Sequence, residues 1–356
     1  MVNKFPLILS GQLKVNWLCL NYLLDLQSQG VSAGSIHTYA HHLCDLVSQL
    51  EAEGGMDIGE VHDAWLIAYK NSILERGNTE DYASQVLRTC LAFFNWLEDE
   101  KYFTNLIGED NYCRIRIKLL ESGVIKHPAV KVIHKYKRRT ITPRIEWINA
   151  IKPYGPDRDD LASRFNLMID WGAELGLRAK EICALAISQL PTLEAAQKAL
   201  RDEKNLQIKL TVTKGSVAAI IPVSPLLIKR TWDFIHTDRC NVVEIWTKRK
   251  LKERTVFHDA GYVFLSDKTG GKLTPASFSN SVRSAFLEAV EANDLTIDER
   301  VWLHGLRHNF TANLLKSLDK NGVERPEAIA RQVTRHGSVE AMEPYLTDRF
   351  NEDFHG

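Results

Sequence analysis

The stretch HGLRHNFTANLL, His304–Leu315, sets two histidines four positions apart around an arginine, with apolar residues at helical spacing. On a helix of about 3.6 residues per turn, His304 and His308 share one face. Such a pair can be two metal ligands. The H-E-x-x-H pattern of a catalytic zinc site is missing, however, because Gly305 follows His304. Arg307 between the two rings also repels a cation. No metal is expected, and the segment reads as a cluster of strong hydrogen-bond donors on a helix.

Three further pieces of the C-terminal half carry strong donors: GLRAKEICAL (Gly176–Leu185), the turn TKG (Thr213–Gly215) and RHGSVEAMEPYL (Arg335–Leu346). Each has an ordinary reading by itself. Arg178 can open a helix or pair with Glu181, Lys214 can be a solvated turn residue, and Tyr345 can be a half-buried tyrosine. Taken together and in this order, the four pieces resemble the catalytic signature of the tyrosine recombinase (phage integrase) family. GLRAKEICAL is similar to that family's G-L-R-x-x-E-[LI]-x-x-L box. HGLRHNFTANLL is similar to H-x-L-R-H-[TS]-F-A-T-x-L, and RHGSVEAMEPYL to G-H-S-S-I-x-T-T-x-x-Y, with the same interval from His336 to Tyr345. The N-terminal stretch YLLDLQSQGVSAGSIHTYAHHLCDL also resembles the family's helical core-binding domain. The likeness runs from about residue 17 to Leu346.

The resemblance implies phosphoryl transfer from double-stranded DNA to a protein nucleophile and back. Tyr345 would be the nucleophile, leaving a 3′-phosphotyrosyl link and a free 5′-hydroxyl. Arg178 and Arg307 would bind the non-bridging phosphate oxygens, His336 would add a hydrogen bond, and His304 would assist proton traffic around Tyr345. Lys214 would protonate the departing 5′ oxygen. Glu181 and His308 would orient the arginines and histidines. No cofactor is implied, since one phosphodiester is exchanged for another of similar energy. The expected function is site-specific recombination, for integration or excision of a mobile element. A topoisomerase or telomere resolvase with the same nucleophile, or a non-catalytic DNA-binding relative, are the alternatives.

The sequence departs from the family pattern in places. Arg335 stands where glycine usually precedes the histidine, Gly337 and Pro344 are unusual neighbours in the last box, and Thr213 replaces a common glycine. A helical insertion near Leu193–Lys204 and a charged segment, Thr247–Thr255, look added.

Around these boxes the expected architecture is mainly α, α+β overall: a helical N-terminal bundle and a mostly helical catalytic domain with a small antiparallel sheet. Residues 18–121 read as wholly helical. One stripe runs through Ile36, Tyr39, Leu43, Leu46, Val47 and Leu50, with Ser32 as N-cap, and a second from Ala83 to Leu97. Gly30, Gly54, Gly55 and Gly77 punctuate the helices. From Ser122 to Ile145 no acidic residue occurs, while Lys126, Lys131, Lys135, Lys137, Arg138, Arg139 and Arg144 accumulate. Such a run is either a solvated tether or a track for a phosphate backbone. The expected domains are therefore 1–121, a basic linker over 122–141, and 142–356. In the last, LQIKLTVTKGSVAAIIPVS reads as a β-hairpin and GYVFLS as a further strand. Helices are expected at Ile145–Ile151, Leu161–Leu175, Pro275–Ala292, His304–Leu318 and Pro326–Val333.

Composition agrees with a folded protein. The 356 residues are 44% hydrophobic and 25% charged, and Lys+Arg and Asp+Glu both total 45. Balanced charge supplies no overall steering, so a nucleic-acid partner needs local basic clusters. The six cysteines lie far apart without C-x-x-C and read as small buried hydrophobes in a reducing compartment. With no signal peptide and no membrane-spanning stretch read, the protein is expected in the cytoplasm, associated with the nucleoid. About 16 residues precede the first expected helix, and no additional arm-binding domain is expected. The free protein is expected to be a monomer, with a tetramer forming on two recombination sites.

Overall fold

Asn16, Ser32 and Thr79 each turn a side-chain oxygen onto a backbone amide three residues ahead, that of Cys19, Ser35 and Tyr82 respectively. These caps satisfy donors that a helix start leaves open. They begin three of the four α-helices described in the N-terminal half: α1 (Trp17–Ser28), α2 (Ala33–Ala52), α3 (Asp63–Glu75) and α4 (Glu80–Asp99). The structure is a computed structural model, and it describes residues 5–121, 123–130, 141–211 and 218–335. The chain divides into two units, Met1–Tyr136 and Lys137–Gly356.

In the first unit, α4 packs on α1, α2 and α3. Both expected stripes face this core: Ile36, Leu43, Leu46, Val47 and Leu50 from α2, and Ala83 through Leu97 from α4. Polar anchors sit at its edges. Tyr69 donates to Asp45 at 2.7 Å, and Arg76 holds the same carboxylate through both of its terminal nitrogens. Buried His42 bonds Thr89 at 2.7 Å across α2 and α4.

The expectation that 18–121 is wholly helical needs correction. α4 stops at Asp99, Lys101 and Asn105 adopt left-handed backbone conformations, and four two-residue strands follow. β1 (Ile107–Gly108) pairs in parallel with β2 (Ile115–Arg116), and β3 (Lys118–Leu119) pairs antiparallel with β4 (Ile125–Lys126). The physical cause is local. The Glu98 carboxylate accepts from the amides of Asn105 and Leu106, both at 2.8 Å, and folds the chain back on α4.

Residues 123–130, read from sequence as the start of the linker, pack on this unit. Ala129 joins its core, and buried His127 bonds Asp63 at 3.0 Å. Lys126 is exposed on β4. Lys131, Lys135, Lys137, Arg138 and Arg139 lie outside the described residues.

Among its described residues the second unit is mainly helical with a small antiparallel sheet, as expected. Its elements are α5 (Ile145–Ala150), α6 (Asp159–Leu175), α7 (Ala179–Cys183), α8 (Leu193–Arg201), β5 (Leu206–Leu210) and β6 (Ala219–Val223). There follow α9 (Pro225–Phe234), α10 (Cys240–Lys252), α11 (Pro275–Glu291), α12 (Leu303–Lys320) and α13 (Pro326–Thr334). α6 is the central helix, packing on α7, α9 and α12. Its Trp171 is fully buried and donates to Thr231 at 3.1 Å. β5 and β6 form the expected hairpin in a register from Leu206 opposite Val223 to Leu210 opposite Ala219. Ile208, Leu210, Ile221 and Val223 form its buried face.

GYVFLS is not a strand. Tyr262 and Leu265 make isolated bridges, to Ala186 and Lys272, and the bonds from the Val263 amide to Leu185 and from the Leu273 amide to Phe264 belong to these two bridges, whose different partners build no ladder. α9 and α10 carry no helix expectation from the sequence and run on through a π-helical turn, Ile235–Arg239. Arg239 is buried there against Asp259 at 2.6 Å and the Tyr262 carbonyl at 2.7 Å. All six cysteines are free, but only Cys19, Cys90 and Cys183 are buried. Cys44 and Cys240 are exposed, which corrects the uniform reading from sequence. Among the described residues, no helix is long and apolar enough to cross a membrane.

Candidate active site

Gly176 ends α6 in the left-handed conformation, with φ 59°. A Cβ at this position would sit 2.4 Å from the Phe310 ring, so the turn demands glycine for its dihedral and for its space. Four residues earlier, a Cβ on Gly172 would meet Leu306 at 2.8 Å, and this close approach lets α6 and α12 pack tightly. The sharp corner at Gly176 has two outcomes. It sets Arg178 at the N-cap of α7, and it turns the Gly176 carbonyl to accept from Arg307 Nη1 at 2.6 Å.

Arg307 is 1% exposed. Its Nη2 donates to the Thr334 carbonyl at the end of α13. Arg178 Nη2 donates to the next carbonyl, that of Arg335, at 3.2 Å. Two guanidinium groups from distant parts of the sequence are thus tied to carbonyls of adjacent residues.

Glu181 organises this cluster. It is 3% exposed. One carboxylate oxygen accepts from Arg178 Nη1 at 3.1 Å, and the other accepts from the Arg178 amide and from Arg335 Nη2, both at 2.9 Å. The two readings open for Arg178, helix opening and pairing with Glu181, are therefore both realised. Burial and the charge of Arg178 pull the Arg335 pKa down, against the pull of Glu181.

His304 and His308 do share a face of α12, with ring centroids 4.9 Å apart in an edge-on arrangement. His308 also lies 5.8 Å from the Trp302 ring. Burial, then His304 and Arg307, lower its pKa to about 4. His304 is exposed, but partial loss of hydration with Arg307 and Arg178 nearby also holds its pKa below the ordinary value. Both rings are therefore neutral at pH 7 and able to accept a proton. Among the described residues no group of three or more metal-ligating side chains occurs.

A cleft of about 900 Å³ opens beside these groups. Its lining includes Arg178, Arg283, Arg300 and His304, with Ser279 and Trp302, and among the described residues no acidic side chain lines it. Sequence reasoning missed Arg283 and Arg300 because neither belongs to a motif. The available signals were spacing alone: Ser279, Arg283 and Leu287 follow at four-residue intervals along α11, and Arg300 precedes His304 by four. Arg300 lies 6.0 Å from the Trp302 ring centre. Arg144 is exposed at the N-cap of α5, with its guanidinium 5.5 Å from the Trp147 ring. Of the expected site, Arg178, Glu181 and Arg307 come together and His304 and His308 stand on the adjoining helix face. Lys214, His336 and Tyr345 lie outside the described residues.

No protein-family model and no curated protein matches this chain. Solved structures do match in fold. The XerH site-specific recombinase bound to difH substrate aligns over 93% of this chain and 85% of that one, with TM-score 0.55 and 14% identity. A lambda integrase dimer bound to a COC′ core site aligns over 92% of this chain and 94% of its own, with TM-score 0.55 and 14% identity. The Tn1549 transposon integrase in complex with transposon right end DNA gives the same coverages and TM-score at 13% identity. The chain has the fold of the tyrosine recombinases.

Proposed function

We propose that this protein is a site-specific DNA recombinase that cleaves and rejoins double-stranded DNA through a 3′-phosphotyrosyl intermediate, serving integration or excision of a mobile element. One observation carries the reading: Arg178 and Arg307 converge on adjacent carbonyls at the end of α13, beside a cleft that also holds His304, Arg283 and Arg300. Two fixed guanidinium groups suit the non-bridging oxygens of one phosphodiester. Their hydrogen bonds to carbonyls and to Glu181 fix them before substrate arrives, and such preorganised donors stabilise charge that grows in the transition state.

The roles follow from chemistry. Tyr345 attacks phosphorus, and neutral His304 takes part in removing the phenolic proton. A free tyrosine titrates near pH 10, so attack at neutral pH calls for a positive, preorganised site. Lys214, carried on the β5–β6 connection, delivers a proton to the 5′ oxygen as the P–O bond breaks. His336 adds a donor to the phosphate. Glu181 and His308 position the arginines and His304. The arginines do the charge neutralisation that a metal would do elsewhere, and energy is conserved in the phosphotyrosyl bond. The structures of similar fold are DNA complexes, which supports DNA as the partner. Lambda integrase also forms a tetramer on a Holliday junction, which favours a tetramer on two sites here. The protein then works where DNA is, in the cytoplasm at the nucleoid. Lys126, Arg144 and the basic run between them would follow the DNA backbone from domain to domain.

The test is covalent trapping on nicked DNA carrying candidate sites from the flanking genome. The wild type forms a protein–DNA adduct and Tyr345→Phe forms none while still binding. An adduct formed by the Phe variant would mean another nucleophile.

A further inference from the structure

Arg335 ends α13 with φ 57° and ψ 44°, a left-handed conformation that glycine adopts freely and arginine only with strain. Its side chain is accordingly the reason for an arginine at this turn. Nη2 is held by Glu181 at 2.9 Å. Nε and Nη1 are buried and meet no acceptor among the described residues. Buried donors are almost always paired, so an unpaired pair of them marks a place where an acceptor arrives from outside or from a step in the reaction.

The surroundings say what kind of acceptor. The Arg335 carbonyl binds Arg178, and the carbonyl just before it binds Arg307. Three guanidinium groups therefore meet at one helix end, and Glu181 is the carboxylate shared by two of them. A second carboxylate would suit this charge, but so would the oxygens of a phosphate, which bring both negative charge and several acceptors to one point.

We propose that Arg335 is a third phosphate-binding arginine, whose Nε and Nη1 bond an oxygen of the same phosphate group that Arg178 and Arg307 hold. This rests on the reading of those two arginines as phosphate ligands.

Inorganic phosphate is the probe, titrated into the full chain at constant ionic strength and followed by ³¹P line broadening. Wild type binds it. Arg335→Gly, which relieves the backbone strain and so retains the fold, weakens binding at least about tenfold, and Arg335→Lys recovers part of the loss. Arg335→Gln, which keeps most of the side-chain volume, behaves like the glycine variant and serves as a second measure of the same loss. The loss also persists in a Glu181→Gln background, because Arg335 touches the anion itself. The proposal is overturned if wild type binds no phosphate, if Arg335→Gly binds as wild type does, or if the loss disappears once Glu181 is replaced. Arg335-dependent phosphate binding without any adduct on nicked DNA would leave this site standing and sink the recombinase reading alone.

Discussion

Acid should weaken the C-terminal unit through His308, by an amount the structure sets. The ring is held at a pKa of about 4 by burial first and then by His304 and Arg307, against 6.5 in the unfolded chain. A depressed pKa means the fold prefers the neutral ring. The unfolded chain takes up a proton as pH passes below 6.5, whereas the fold does so only near 4. The contribution is fully present above 6.5 and is lost as pH falls toward 4. At about 1.4 kcal/mol per pH unit across that window, the loss is about 1 kcal/mol at pH 5.5 and about 3 kcal/mol at pH 4. Urea unfolding of wild type and His308→Gln at pH 7, 5.5 and 4 isolates it, since the variant lacks the titrating group. The wild-type advantage over the variant should shrink by about 3 kcal/mol between pH 7 and pH 4. An advantage that does not change with pH, or an imidazole signal for His308 that titrates near 6.5, would refute the reasoning.

Three more outcomes are expected. Arg178→Ala should slow single-turnover cleavage by about 10² to 10³-fold, the usual loss on removing a preorganised donor to transition-state charge, and chelator should leave the wild-type rate unchanged. Lys214→Ala should stall on ordinary DNA and recover on a substrate with a 5′-thio leaving group, because a thiolate departs without an acid; absence of rescue would remove Lys214 from that role. Replacing Lys135, Lys137, Arg138 and Arg139 with Gln should weaken binding to all DNA sequences alike and flatten the salt dependence by up to about four in log–log slope; an unchanged slope would make the run a solvated tether.

Much of this was legible in the residues because the signals were periodic or paired. The α2 and α4 stripes repeat at helical spacing, Ser32 marks its helix start, and the alternation on either side of Lys214 reads as a hairpin. Arg178 and Arg307 stood out through their neighbours. What failed did so for physical reasons. The fold-back after α4 depends on Glu98 capping amides seven and eight residues ahead, which no periodicity records. Val263 and Phe264 are buried without a ladder, so an apolar run imitated a strand. α9 and α10 were hidden by the π-helical turn between them, which shifts the apolar phase, although Ser224 before Pro225 was a usable start signal. Arg335 was visible as a departure, but its left-handed backbone and its bond to Glu181 are facts of three dimensions.

The sharing of Glu181 also sets an electrical balance. Across the described residues of the cluster, three guanidinium groups stand against one carboxylate, and both imidazoles are neutral at pH 7. Two positive charges remain. A phosphodiester carries one negative charge, and attack by a phenolate raises it toward two as the fifth bond to phosphorus forms. On the proposed reading, the surplus attracts that growing charge more strongly than it attracts DNA at rest, which is the condition for accelerating a reaction instead of merely holding its substrate. Were Glu181 neutral, the surplus would rise to three and Arg178 and Arg335 would lose the carboxylate that fixes them both.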